Sequence, residues 1–396
     1  MKPHLAFVLL TLVTAQGEPW KRHTIDAFEP EAGKKGADGV RLADANGDGL
    51  PDIATGWEQG GAVRICLNPG PDAATTIWPA FTVGNVKGVE DAVFADLDAD
   101  GNVDVVSCAE GRVNSVFIHW APAPPIDPKL GNWPTEAIPA TAKRRWMFAL
   151  PMDVNLDGKL DIVVGSKKGN AIVGWLEQPA DARDLKTWNL HPMTQAGWIM
   201  SLRNLDVDGD GDEDIVFSDR YEDDCGVFWI ENPGPESLQI RETWPRHLIG
   251  GAGRQVMFLT AGELNGEGRP EIVCATLEGD LLVFEQLEDG WKESVLPLPF
   301  GLTAGKGVAI ADVNLDGRAD LITTSEAQRE KPGMVSVAWM EQNEDGTWSD
   351  HRISDEKGRK FDRIEMLDLD GDGDLDLITC EEVHNLGVFW YENPLK

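Results

Sequence analysis

An all-β ring of seven four-stranded antiparallel blades, a seven-bladed β-propeller, is the fold class that the 396-residue sequence predicts, and three observations predict it. An acidic decapeptide recurs seven times at nearly even spacing. Each copy is flanked, in phase, by short runs of β-forming residues. The two ends of the chain carry complementary parts of one repeat. A fixed period of about 50 residues marks a repeat architecture, and four short strands per unit describe a propeller blade.

The decapeptides are DANGDGLPDI from Asp44, DLDADGNVDV from Asp96, DVNLDGKLDI from Asp153, DVDGDGDEDI from Asp206, ELNGEGRPEI from Glu263, DVNLDGRADL from Asp312 and DLDGDGDLDL from Asp368. Their steps are 52, 57, 53, 57, 49 and 56 residues. Before each stands a short apolar run such as GVAIA (307–311), and after it another such as DIVVGS (161–166). A Gly-rich turn leads to a third run, in four copies VGWLEQP, VFWIENP, VAWMEQN and VFWYENP. A fourth run follows, such as WPAFTV, WNLHPM or WSDHRI. Such runs between Gly, Pro and Asn turns read as strands, and no window shows helical periodicity. The seventh unit stops after its third strand, while WKRHTI (20–25) stands alone at the other end. The count balances only if this N-terminal strand closes the last blade, which also removes an exposed sheet edge.

Hydrophobic residues make up 42% of the chain, enough for a core, and the formal charge is −33. A surface this acidic excludes nucleic acid and anionic membranes as expected partners and suits one that holds divalent cations. Lys2 and His4, the apolar stretch 5–13 and the small residues of VTA read as a signal peptide, residues 1–15, cut near Ala15. The expected mature chain, 16–396, is then one exported domain, secreted or periplasmic, monomeric and without a membrane span. Five cysteines (66, 108, 225, 274 and 380) form no CxxC pair, so they read as buried hydrophobes with one disulfide possible.

Within each decapeptide, positions 1, 3, 5 and 9 are Asp, Asn or Glu, and position 6 is Gly. Calcium takes six to eight oxygens at about 2.3–2.6 Å, and alternate side chains of a tight loop can supply them. Six loops have the full donor set: Asp44, Asn46, Asp48 and Asp52; Asp96, Asp98, Asp100 and Asp104; Asp153, Asn155, Asp157 and Asp161; Asp206, Asp208, Asp210 and Asp214; Asp312, Asn314, Asp316 and Asp320; Asp368, Asp370, Asp372 and Asp376. Ca2+ is therefore expected at about six sites. In the fifth blade Glu263, Asn265, Glu267 and Glu271 are each too long for the same loop, apart from the Asn, so that site is expected to be weak or empty. EF-hands are disfavoured, because position 12 is Thr55, Ser107, Val164, Phe217, Thr323 or Thr379 rather than the bidentate Glu. The expected role of the loops is to rigidify each blade.

The pattern D-x-[DN]-x-D-G-x-x-D between strands resembles the FG-GAP/VCBS repeat propellers, which include the head of integrin α chains. The paired W-x-E-N-P and W-x-x-H-x-I runs are similar to bacterial, exported members. The resemblance covers nearly all of residues 16–396 and implies calcium in these loops. It does not imply one biological role, since that family includes adhesins, lectin-like modules and enzymes.

A ligand is expected on the face opposite the acidic loops, where second-to-third loops and blade-to-blade connections lie. Twelve of the fifteen tryptophans follow the repeat; Trp57, Trp146 and Trp198 do not, and they are expected on that face as flat platforms for sugar rings. Nine residues before the decapeptides stand Lys35, Lys87, Arg144, Arg254 and Arg359, with Arg145, Lys306, Lys360 and Arg363 nearby. These are expected either to ring the channel mouth and attract an anionic ligand or to pair with Asp38, Glu90, Asp91 and Asp362. Tyr221 and His384 are the loop acid–base candidates. The preferred reading is a non-catalytic binding module for an extracellular glycan or protein ligand. The alternatives are a polysaccharide lyase acting on acidic glycans and a protein-binding adhesin. No GxSxG, HExxH or nucleotide-binding loop is present.

Overall fold

Each decapeptide sits between two short β-prone runs, and in the computed structural model those runs pair as antiparallel neighbours. The structure describes residues 19–123, 126, 131–221, 224–327, 334–354 and 358–396; the expected signal peptide, 1–15, lies outside them. Seven four-stranded sheets result. Blades 1 to 6 cover residues 37–85, 89–137, 145–195, 199–250, 256–297 and 305–354. Blade 7 takes its first three strands from 365–392 and its fourth from Lys21–Asp26, which pairs with Gly387–Glu392 in the register Lys21↔Glu392 and His23↔Trp390. First strands of successive blades touch one another around the ring, so they line the axis. No helix among the described residues is long and apolar enough to cross a membrane.

The core lies between blades. Each inter-blade layer interleaves second- and third-strand aliphatics with aromatic rings, as where Val163, Trp175, Ile215 and Ile230 share one cluster. All five cysteines are buried and none is disulfide-bonded. Alternating residues that face neighbouring sheets on both sides explain why the second strands are buried along their whole length.

The W-x-E-N motif has a physical meaning at each letter. In four blades the third-strand Trp lies against the fourth-strand His: His23–Trp390, Trp175–His191, Trp229–His247 and Trp339–His351, with ring centroids 4.2–5.0 Å apart. The Glu two residues on meets the same His, at 2.6 Å for Glu392, 2.8 Å for Glu177, 3.2 Å for Glu231 and 2.8 Å for Glu341. The Asn or Gln after it reaches back to the preceding blade: Gln178 Nε2 donates to the Leu97 carbonyl at 2.7 Å, Asn232 Nδ2 to Val154 at 3.3 Å and Asn393 Nδ2 to Val313 at 3.0 Å. Trp120, expected among the third-strand tryptophans, lies two residues further along. Val106 pairs with Ile118 where Val163 pairs with Trp175, and the Trp120 indole donates instead to Glu136 at 3.2 Å.

Candidate functional site

The acidic loops connect first to second strands at one end of the ring. Their backbone is wound around the first Asp: in blade 1, Asp44 accepts amide protons from Gly47, Asp48 and Gly49 at 2.8–3.1 Å. Left-handed φ values of 78° at Gly47 and 87° at Gly49 permit the turn, which a Cβ would strain. The position-nine acid is a backbone clamp. Asp52 accepts from the Ala45 amide at 3.0 Å with one oxygen and from the Asn68 amide at 2.8 Å with the other. Asp104, Asp161, Asp214, Asp320 and Asp376 repeat this arrangement. Burial, opposed by those amides, pushes Asp104, Asp161, Asp214 and Asp376 up to about 7 and Asp52 and Asp320 to about 6.

The loop donors are all hard oxygens, which fits a calcium-class cation. Carboxylate oxygens converge within 4.8 Å in Asp96/Asp98/Asp100, Asp206/Asp208/Asp210 and Asp368/Asp370/Asp376. The loops differ in their own counter-ions. Arg183 reaches Asp98 at 2.5 Å, Lys159 reaches Asp157 at 2.5 Å, and Arg318 pairs with Asp316. The loops of blades 4 and 7 hold five Asp each. There burial and then repulsion between neighbours raise Asp212 and Asp374 to about 6. In blade 5, Glu271 folds back onto the loop, accepting from the Leu264 amide at 2.8 Å and from Asn265 Nδ2 at 2.6 Å.

A cavity of about 240 Å³ opens on the axis at the opposite end. Two registers of the repeat build it. Six residues before six of the seven decapeptides stand Asp38, Glu90, Met147, Met200, Lys306 and Asp362; fourteen residues after the first position of five of them stand Glu58, Lys167, Arg220, Glu326 and Glu382. Phe148, Phe258, Trp198 and Lys360 complete the lining. The first strands are bulged here. The ladder skips Glu90, Met147 and Met200, and in blades 5 and 6 it skips two residues that include Met257 and Lys306. A bulge breaks the simple alternation of side chains and re-aims one of them.

Charges in the cavity are interlocked across blades. Lys167 lies 3.1 Å from Glu90 and 2.9 Å from Glu110; Lys306 lies 2.5 Å from Asp362 and 3.3 Å from Glu326; Lys360 pairs with Glu382. Burial, then the Asp362 carboxylate and, more weakly, Glu90, raises Asp38 well above the usual range against the pull of Lys360. Burial would also raise Asp362, but Lys306 and Lys360 outweigh it and hold that carboxyl low. Burial, with Glu58 and Glu110 and against Lys167, brings Glu90 to about 7. Trp198 is half-buried with the Arg220 guanidinium 3.9 Å from its ring centre. Below the cavity, Arg41 grips Asp91 with two bonds of 3.0 and 2.8 Å.

Several expected site residues lie elsewhere. Trp57 closes the second strand of blade 1 and Trp146 lies within the first strand of blade 3; both are 0% exposed, so neither offers a face to a ligand. Only Trp198 of the three lines the cavity. Lys35, Lys87, Arg144, Arg254 and Arg359 are outside it as well. Lys35 and Lys87 are exposed, Arg144 lies over the Trp146 ring, Arg254 pairs with Asp280, and the Arg359 amide donates to Glu381. Their offset of nine residues falls before the bulge, while the side chains that reach the axis lie at the bulge itself. Lys306 and Lys360, named only as neighbours of that ring, do line the cavity, paired with acids. With six carboxylates against four bases, the lining is acidic rather than basic. Tyr221 is half-exposed, edge-on to Trp198 with centroids 6.3 Å apart, and the His384 amide donates to Glu381 at 2.7 Å. Neither lines the cavity. The fourteen-residue register is visible in the sequence as a charged residue in six of the seven blades, Glu58, Glu110, Lys167, Arg220, Glu326 and Glu382.

The sequence pattern described as FG-GAP-like repeat matches residues 44–107, 153–217, 206–274 and 263–323, more than half of the chain. No curated protein matches it.

Proposed function

The chain belongs to the FG-GAP-like repeat family, and from that premise we propose that it is an exported, calcium-stabilised β-propeller that binds an extracellular carbohydrate in its axial cavity. The observation that carries this reading is the cavity itself, placed opposite the acidic loops. It joins a half-buried indole, two phenylalanines and two methionines to a ring of charged hydrogen-bonding groups. Sugars present an apolar ring face and a rim of hydroxyls, so they match a site with both features. A volume of about 240 Å³ suits a small guest or one end unit of a chain. The excess of carboxylates weighs against a uronate polymer. The loops at the other end are assigned to Ca2+, held by the six donor sets named above, and to stiffening the blades.

The test is a glycan array probed with the wild-type protein, Trp198→Ala and Lys87→Ala. Binding is expected for the wild type, lost at least tenfold in Trp198→Ala and kept in Lys87→Ala, since Lys87 lies outside the cavity. An array with no bound glycan, or Trp198→Ala binding as well as wild type, would overturn the reading.

A further inference from the structure

The cavity holds one electrostatic device twice: an ammonium set between two carboxylates. Lys167 Nζ fills that position between Glu90 and Glu110 of blade 2. Lys306 Nζ fills it between Glu326 of blade 6 and Asp362 of blade 7. Lys360 supplies the cation for Glu382 of blade 7. Blade 1 contributes both acids of the device, Asp38 and Glu58, and no cation. Among the described residues, no Lys, Arg or His comes within ion-pairing distance of either. Asp38 is only 6% exposed, lines the cavity and faces the carboxyl of Asp362, while Lys306 and Lys360 act on it only from beyond ion-pairing distance. Oxygens of Asp38, Glu58 and Glu382 lie within 4.8 Å of one another, and Glu58 also lies within that distance of Glu90 and Glu110.

We propose that the axial cavity takes a ligand with a primary ammonium group, specifically a hexosamine unit with a free amine, whose nitrogen sits among Asp38, Glu58 and Glu382. This rests on reading the cavity as a sugar site, and it adds the sugar's charge. The geometry favours an organic cation over a metal ion for two reasons. Lys360 and Lys167 already occupy one oxygen each of Glu382, Glu90 and Glu110, which leaves too few free oxygens for the six to eight that calcium takes. The facing wall, Met147, Phe148, Met200 and Phe258, is soft and apolar, which suits the body of an organic ligand.

Calorimetric titration of the full-length protein at pH 7 in 1 mM calcium, with D-glucosamine, N-acetylglucosamine, glucose and glucuronate as probes, tests this. Glucosamine is expected to bind at least tenfold more tightly than the two neutral sugars, and glucuronate least. Glu58→Gln is expected to remove that preference, lowering glucosamine affinity at least tenfold more than glucose affinity. Equal affinity for glucosamine and glucose, or an unchanged glucosamine preference in Glu58→Gln, would overturn the inference and leave the carbohydrate reading standing. Loss of the glucosamine signal on raising calcium to 20 mM would assign the three carboxylates to a metal and overturn it too. Binding of none of the sugars would sink the inference and the carbohydrate reading together.

Discussion

His119 shows how closely single side chains are fitted in this ring. It is fully buried between Ser107 Oγ and Thr135 Oγ1, each 2.9 Å from a ring nitrogen. Gly84 makes room for it, since a Cβ there would lie 2.2 Å from the imidazole. Burial lowers its pKa to about 3. The folded state therefore holds this His neutral, while the unfolded chain protonates it near the ordinary value of about 6.5. Its contribution to stability is complete above that value and is lost progressively as the pH falls towards the folded pKa. Between pH 7.5 and pH 5 the loss should be about 2 kcal/mol. Urea unfolding of wild type and His119→Gln at both pH values measures it, because Gln keeps a hydrogen-bonding side chain without the titration. Equal pH dependence in the two proteins would remove His119 as the cause. The Trp, Glu and Asn of the repeat are equally specific: one stacks, one pairs with His, and one ties a blade to its neighbour.

At the scale of the element, the acidic loop and the bulged first strand divide the labour. The loop is a hairpin whose carboxylates repel one another unless a cation enters. The loops are not equivalent. Arg183, Lys159 and Arg318 already sit on donor residues of blades 2, 3 and 6, whereas blades 4 and 7 crowd five Asp together. Calcium is expected to stabilise blades 4 and 7 most. Excess EGTA should lower the melting temperature by several degrees, and Asp370→Asn should remove a larger part of the calcium-dependent rise than Asp157→Asn. Differential scanning fluorimetry against a calcium series measures both. A melting curve indifferent to EGTA would exclude a stabilising role for calcium. The existence and position of these hairpins were legible because their donors and glycines recur at fixed offsets. The bulges were not, since nothing in a run such as GVEDAVFA marks which residue leaves the ladder.

At the scale of the molecule, stability depends on closing the ring. The strand Lys21–Asp26 covers the open edge of blade 7, buries Ile25 and stacks His23 on Trp390. Deleting residues 19–26 exposes that edge and should cost roughly 5 kcal/mol, from lost burial of Trp20 and Ile25 and the strand's hydrogen bonds. That is comparable with the whole stability of many domains, so loss of cooperative melting and edge-to-edge association are expected. Light scattering and thermal melts check this; a monomeric variant with an unchanged melt would show that the ring holds without its closing strand. The sequence by itself determined the number of blades, the four strands in each, the closure by the N-terminal strand and the acidic donor sets, because each follows from local pattern repeated seven times. Only the tertiary structure decided which side chains meet on the axis. Glu58, Lys167, Arg220, Glu326 and Glu382 come from five blades, and they converge only when the ring curves and the bulges turn their neighbours inward. Trp57 and Trp146 broke the repeat in sequence yet ended as core, because departure from a pattern does not say whether a residue faces solvent or a neighbouring sheet.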